Sequence, residues 1–243
     1  MHRLMVVGIG PGNAVNMTEA CRNALLGADA IFGYTPYLQL LKPLFPHKTF
    51  FGTGMKGEVA RCRAALGLAA EGKVVSLVSS GDAGIYGMAS LVYELSPEFP
   101  SVTIEVVPGI TAAISGAALL GSPLGHDFAV ISLSDLLTSW DLIEKRLRAV
   151  AAGDLAICIY NPASHGRRDH LKRACDILLE ILPPDRVCAL VRNIGRTEET
   201  YALTTLGALR TRQVDMLTTV FIGNAKTRVL NGKMITPRGY RHA

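Results

Sequence analysis

Ser79-Ser80-Gly81-Asp82-Ala83-Gly84-Ile85-Tyr86-Gly87-Met88 follows the apolar run Val74-Val75-Ser76-Leu77-Val78 and leads into a helix-forming segment over residues 88–95. A short apolar run bounded by glycine predicts a buried strand. Three glycines within seven residues, Gly81, Gly84 and Gly87, then fall between strand and helix. Glycine lets backbone approach a ligand where a Cβ would clash, so the stretch predicts a binding loop with one acid, Asp82, inside it. A carboxylate in that position is suited to accept loop amides and hold the loop's shape. Gly8-Ile9-Gly10-Pro11-Gly12 and Pro108-Gly109-Ile110-Thr111-Ala112 repeat the punctuation. Any one of these is an ordinary turn. Three together point to one small-molecule site built from strand ends.

Outward from that loop the chain alternates strand and helix. Strands are expected at residues 3–7, 30–32, 74–78 and 102–107. After a glycine-proline break at Gly121-Ser122-Pro123-Leu124-Gly125 they resume at 128–132, 155–160, 187–191, 201–205 and 218–222. A hairpin follows over 229–235, turned by Asn231-Gly232. The strand at 155–160 is apolar until Tyr160, so it is read as central. Helices are expected at 18–26, 58–70, 88–95, 141–151 and 167–182, the last stopped by Pro183-Pro184. Residues 44–57 read as irregular, with Lys56 in a glycine-rich flap. Gly33-Tyr34-Thr35-Pro36-Tyr37 reads as a strand-end loop whose tyrosines either stack on a flat ligand or pack on the surface. The break divides the chain into two α/β domains, 1–121 and 122–243.

Composition narrows the function. Of 243 residues, 49% are hydrophobic and 19% charged, which fits a folded globular chain. The net charge of +5 suits an acidic ligand, yet no dense Lys/Arg run supports nucleic acid as a partner. Five dispersed cysteines with no C-x-x-C pair read as reduced thiols of a cytoplasmic protein. No signal peptide is read at the start, and the longest apolar region, 104–121, is broken by Pro108-Gly109, so no membrane partner is expected.

Strong catalytic signatures are missing. The six histidines show no close H-x-x-x-H spacing, so no metal is expected. There is no G-x-S-x-G elbow and no Walker loop. The first glycine loop departs from the dinucleotide fingerprint, because its third glycine falls early and Pro11 removes a donor. His126 beside Asp127 is a candidate base with an orienting acid, although adjacent side chains usually diverge. What remains suits a reaction whose leaving group is already activated, such as methyl transfer from a sulfonium.

The chain resembles the tetrapyrrole methylases over essentially its whole length. The anchors are Val7-Gly8-Ile9-Gly10-Pro11-Gly12, Ser80-Gly81-Asp82 and Pro108-Gly109-Ile110-Thr111-Ala112. Narrower matches are Gly33-Tyr34 through Tyr37, Leu124-Gly125-His126-Asp127-Phe128, Tyr160-Asn161-Pro162-Ala163-Ser164 with Arg167, and Thr236-Pro237-Arg238-Gly239-Tyr240. The resemblance implies a two-domain tetrapyrrole methylase fold of class α/β, with a mixed sheet in each domain and the active-site cleft between them. It implies S-adenosyl-L-methionine as cofactor, S-adenosyl-L-homocysteine as product, a tetrapyrrole substrate and a homodimer. Cofactor contacts carry over to Pro11, Ser80, Gly81, Asp82, Ile85, Thr111, Ala112 and Asn161, and more loosely to Asn193 and Thr219. Two departures stand out. Ala83 replaces a common proline, and Asn161 stands where many relatives carry methionine.

The implied reaction is methylation of carbon 17 of precorrin-3B with ring contraction to precorrin-4, on the cobalamin pathway. The alternative is a cobalt-bearing substrate or another ring carbon. Ring contraction needs a base, and Asp82, His126 and Asp135 are all candidates, with His126 and Asp135 carried forward as catalytic. Lys56, Arg167, Arg192 and Arg196 are candidate partners for the substrate's carboxylates, set against the usual fate of a basic residue as solvated surface charge. A ribosomal RNA methylase and a non-catalytic nucleotide sensor are the competing classes.

Overall fold

The computed structural model describes residues 2–164 and 166–240. His165 and His242, two of the histidines read above, lie outside the described residues. The chain forms two compact units, Met1–Ala112 and Ala113–Ala243.

The first unit runs β1 (Arg3–Gly8), α1 (Glu19–Gly27), β2 (Ala30–Tyr34), α2 (Thr35–Leu41), β3 (Thr49–Thr53), α3 (Glu58–Ala70), β4 (Val74–Ser79), α4 (Ala89–Leu95), β5 (Thr103–Val107). Its five-stranded sheet has the order β3-β2-β4-β1-β5, and every pairing in it is parallel. Here the structure corrects one expectation, since a mixed sheet was implied for this half. Each strand is followed by a crossover that brings the next one back in the same direction. Strand β1 is apolar on both faces for the same reason: Leu4 and Val6 face one cluster with Leu66 and Val92, while Met5 and Val7 face another with Leu25 and Leu38. Thr18 caps α1, its Oγ1 accepting the Cys21 amide at 3.0 Å.

Two segments read as irregular are ordered elements. Residues 49–53 form β3, an exposed edge strand held partly by Phe51, whose ring stacks on Phe32 at 4.6 Å. The segment after Tyr34 is α2, with Pro36 in its first turn. Tyr34 and Tyr37 pack edge to face on each other at 5.2 Å.

The second unit continues with α5 (Ala112–Leu120), β6 (Gly121–Ser122), β7 (Phe128–Ser132), α6 (Trp140–Ala152), β8 (Ala156–Tyr160), α7 (His170–Leu179), β9 (Val187–Arg192), β10 (Thr200–Thr205), α8 (Leu206–Leu209), β11 (Thr218–Ile222), β12 (Arg228–Leu230) and β13 (Lys233–Ile235). Its main sheet, β10-β9-β11-β8-β7, is mixed: β7 and β8 are parallel, and the other pairs antiparallel. The apolar strand β8 is interior, as its composition predicts. The small-residue helix α5 lies close on this sheet; a Cβ on Gly116 would come within 2.9 Å of the Phe221 ring. The helix expected from Arg167 starts at His170, because Ser164 and Arg167 first close a tight turn through two backbone bonds. The Asn231-Gly232 hairpin forms as read, both residues at positive φ. Among the described residues no helix is long and apolar enough to cross a membrane, and all five cysteines are buried and unpaired.

Candidate active site

Because the first sheet is parallel, the loops after all five of its strands leave from one edge. Three of them are locked together. Gly10 and Gly81 exchange backbone hydrogen bonds at 3.0 and 2.8 Å. Asp82 adds the third loop: its Oδ2 accepts the Gly109 amide at 2.9 Å, and its Oδ1 accepts the Gly84 amide at 2.8 Å. The backbones pass so closely that a Cβ on Gly109 would lie 2.2 Å from the Gly81 carbonyl oxygen, and one on Gly8 2.7 Å from the same atom. Gly81 itself sits at φ +68° with its nearest neighbour, Thr111, at 3.5 Å, so it needs glycine for its dihedral rather than for space. This edge brings together Pro11, Ser80, Gly81, Asp82, Ile85, Thr111 and Ala112. Pro11 and Thr111 are buried, and Ile85 is 40% exposed. Lys56 follows β3 on the same edge, at φ +65°.

The second sheet gathers another set. Register places the ends of β8 and β9 and the start of β11 side by side, because Ile159 pairs with Val220 and Val191 with Thr219. Asn161, Asn193 and Thr219 therefore share an edge. Both asparagines adopt the left-handed region, φ +52° and +57°, which Asn tolerates better than most residues. Asn161 Nδ2 donates to Ser132 Oγ at 2.9 Å, and the Asn193 side chain donates to the Glu198 carbonyl. Tyr160 Oη accepts the Ala113 amide at 2.6 Å, at the start of α5.

Asp135 follows β7 on this same edge. Its Oδ2 lies 3.0 Å from His170 Nε2 and its Oδ1 3.6 Å from Arg167 Nη1. The His170 hydrogen bond, with Arg167 adding, holds the Asp135 carboxyl below the usual carboxylate range. Arg167 also donates to Ser164 Oγ at 2.9 Å and to Ser134 Oγ at 2.5 Å. Its side chain is 14% exposed, so solvated surface charge does not describe it. Arg192 is exposed and paired with Asp215 at 2.8 Å. The Arg196 amide closes a turn onto the Asn193 carbonyl at 2.9 Å.

His126 stands apart from Asp135. It precedes β7, whereas Asp135 follows it, so the strand separates them by about 16 Å. Its Nδ1 accepts the Asp127 amide at 2.9 Å and lies 3.5 Å from the Asp127 carboxylate. The two adjacent side chains thus do meet.

The description of the tetrapyrrole (corrin/porphyrin) methylases matches residues 3–210. This chain belongs to the tetrapyrrole methylases. It is 49% identical over 98% of its length to a Salmonella typhimurium protein named probable cobalt-factor III C(17)-methyltransferase, covering 99% of that relative. It is 39% identical to a Sinorhizobium protein named precorrin-3B C(17)-methyltransferase, covering 99% of this chain and 98% of the other. Among solved structures it superposes on the methyltransferase CobJ with a TM-score of 0.90 and 39% identity, covering 96% of this chain and 99% of that one.

The strand-end cluster offers bare backbone, since Gly81 and Gly84 carry no side chain and Ile85 beside them is open. Two groups at these edges were not singled out from sequence. His170, buried on α7, orients Asp135, and its signal was a lone histidine on an apolar helix face three residues after Arg167. Ser132, the partner of Asn161, carried no signal beyond lying at a strand end.

Proposed function

We propose that this protein transfers the methyl group of S-adenosylmethionine to carbon 17 of precorrin-3B, with ring contraction to precorrin-4. The observation that carries this reading is the full-length likeness to relatives named for that carbon, at 49% and 39% identity. A second reading, the cobalt-bearing counterpart of the same substrate, is favoured by the higher of the two identities, which belongs to a cobalt-factor III relative. Function as a homodimer in the cytoplasm belongs to the same proposal.

Pro11, Ser80, Gly81, Ile85, Thr111 and Ala112 are proposed to hold the cofactor, with Asn161, Asn193 and Thr219 contributing from the second unit. Both oxygens of Asp82 are engaged by amides, so its part is to keep the loops in shape. When bound, the cofactor supplies an electrophilic methyl on a sulfonium sulfur. The bare strand-end backbone aligns the acceptor carbon with it, which is the main demand of such a transfer. Lys56, Arg167, Arg192 and Arg196 are proposed to face substrate carboxylates. The ring hydroxyl must lose a proton, and His126 and Asp135 are the proposed alternatives. Asp135 shares its edge with the asparagines, but its lowered basicity weakens it as a base. An imidazole base would leave an acid limb near neutrality in the rate profile, and a carboxylate held low would not.

The test is turnover of S-adenosylmethionine with metal-free precorrin-3B and, separately, with cobalt-factor III. Products are analysed by mass and carbon-13 NMR. A single new methyl on carbon 17 is expected. A methyl on another carbon, or no turnover with either substrate, overturns the proposal. His126→Ala and Asp135→Asn, assayed in single turnover, identify the base as the variant whose kcat falls about a hundredfold.

A further inference from the structure

Arg61 is 3% exposed, yet its guanidinium has no carboxylate beside it among the described residues. It belongs to the first turn of α3, where the helix dipole opposes a positive charge. Its partners are neutral: Nε donates to Thr53 Oγ1 at 2.7 Å, and Nη2 to the Gly54 carbonyl at 3.1 Å. Glu58, in the same turn, forms no ion pair with it. Among the described residues no buried side-chain nitrogen lacks a partner, and Nη1 has none, so Nη1 is the part of the guanidinium that meets the surface. A buried charge without a counter-ion is strongly unfavourable, and folded chains rarely keep one.

The position of this charge explains why it is kept. Thr53 ends β3, so Arg61 lies at the same edge of the parallel sheet as the glycine loops. In the order β3-β2-β4, two strand spacings, about 10 Å, separate it from the loop after β4. The turn between Thr53 and Arg61 has room: a Cβ on Gly54 would meet nothing within 4 Å. It also carries Lys56, exposed at φ +65°.

We propose that Arg61, with the Thr53–Gly57 turn and Lys56, is a carboxylate subsite that takes an acidic side arm of the tetrapyrrole. The bound carboxylate is the counter-ion that the fold omits. Its fork geometry suits a guanidinium. The distance along the edge favours a side arm of the wide macrocycle over the carboxylate of the cofactor itself. The identity of the ligand rests on the function proposed above; the anion subsite does not.

The test compares wild-type protein with Arg61→Gln and Arg61→Lys. Binding of uroporphyrin, a porphyrin carrying only carboxylate arms, is followed by fluorescence quenching. Binding of S-adenosylhomocysteine is followed by calorimetry, and Tm by thermal melting. Arg61→Gln is expected to bind uroporphyrin at least about tenfold more weakly, with S-adenosylhomocysteine affinity unchanged and Tm equal to or above wild type. Arg61→Lys, which keeps the charge and loses the fork, should fall between. Loss of S-adenosylhomocysteine affinity alone would assign the subsite to the cofactor's carboxylate and overturn the side-arm assignment. An Arg61→Gln protein with a lower Tm and unchanged affinities, or one that does not fold, makes Arg61 a structural pin and overturns the subsite. A wild-type protein that binds neither ligand counts against the methyltransferase reading instead.

Discussion

Asp82 Oδ2 accepts the amide of Gly109 at 2.9 Å, joining two loops 27 positions apart in the chain. Asp82→Ala would strand that amide and the Gly84 amide together. Stability is expected to fall by about 2 kcal/mol, the scale for bonds to a charged acceptor. Asp82→Asn, which keeps one acceptor oxygen, should lose less. Urea unfolding measures both, and an Ala variant as stable as wild type would mean that the loops are held by other contacts.

The glycines separate into those that need space and those that need a dihedral. Gly109→Ala forces a Cβ to 2.2 Å from a carbonyl oxygen and should cost about 3 kcal/mol. Gly81→Ala has room but keeps φ +68°, and should cost about 1 kcal/mol. Gly84→Ala, which meets only the Asp82 carboxylate at 3.3 Å, should be close to neutral. A different order of melting temperatures would contradict the packing of the strand ends. Gly81→Val should in addition abolish S-adenosylhomocysteine binding, read by calorimetry on the folded variant.

Asp135 supplies a pH dependence. Its carboxyl titrates lower in the folded chain than in the unfolded one, chiefly through His170. Such a group contributes stability that is complete above the unfolded value of 3.8 and is lost as pH falls through the folded value. The stability difference between wild type and Asp135→Asn should therefore shrink as pH falls below 4. His170→Gln should move the Asp135 titration upward, as carbon-13 NMR of the carboxyl would register. A titration that stays in place would remove His170 as the cause.

Arg167 joins Ser164, Ser134 and Asp135 around the turn before α7. Arg167→Ala should lower stability by about 2 kcal/mol and raise the KM for tetrapyrrole, with S-adenosylhomocysteine affinity nearly intact. A lowered stability with an unmoved KM would restrict Arg167 to holding the turn.

Most of the framework was legible because the buried strands are apolar runs, α1 carries a threonine cap and Pro183-Pro184 stop the chain after α7. β3 was not legible: it has five residues, lies at an edge, is mostly exposed and contains Gly52, so neither alternation nor a continuous apolar run marks it. α2 was hidden behind Pro36, which serves a first helical turn as well as a loop. The all-parallel first sheet follows from its helix crossovers and not from any residue in the strands. At the site, the three glycine loops were readable as a set because close backbone approach demands glycine. Burial of Arg61 was not, since a charged residue on an amphipathic helix ordinarily faces water. The separation of His126 from Asp135 was readable in principle, for they flank one strand and a strand's two ends lie at opposite edges.

The contact of Gly8, Gly81 and Gly109 has a consequence for anyone redirecting this scaffold to new acceptors. Three loops whose backbones touch without clearance can be shifted only together, so mutant libraries placed there will return mostly collapsed proteins. Randomising from Gly54, where an added Cβ meets nothing within 4 Å, is the more productive starting point.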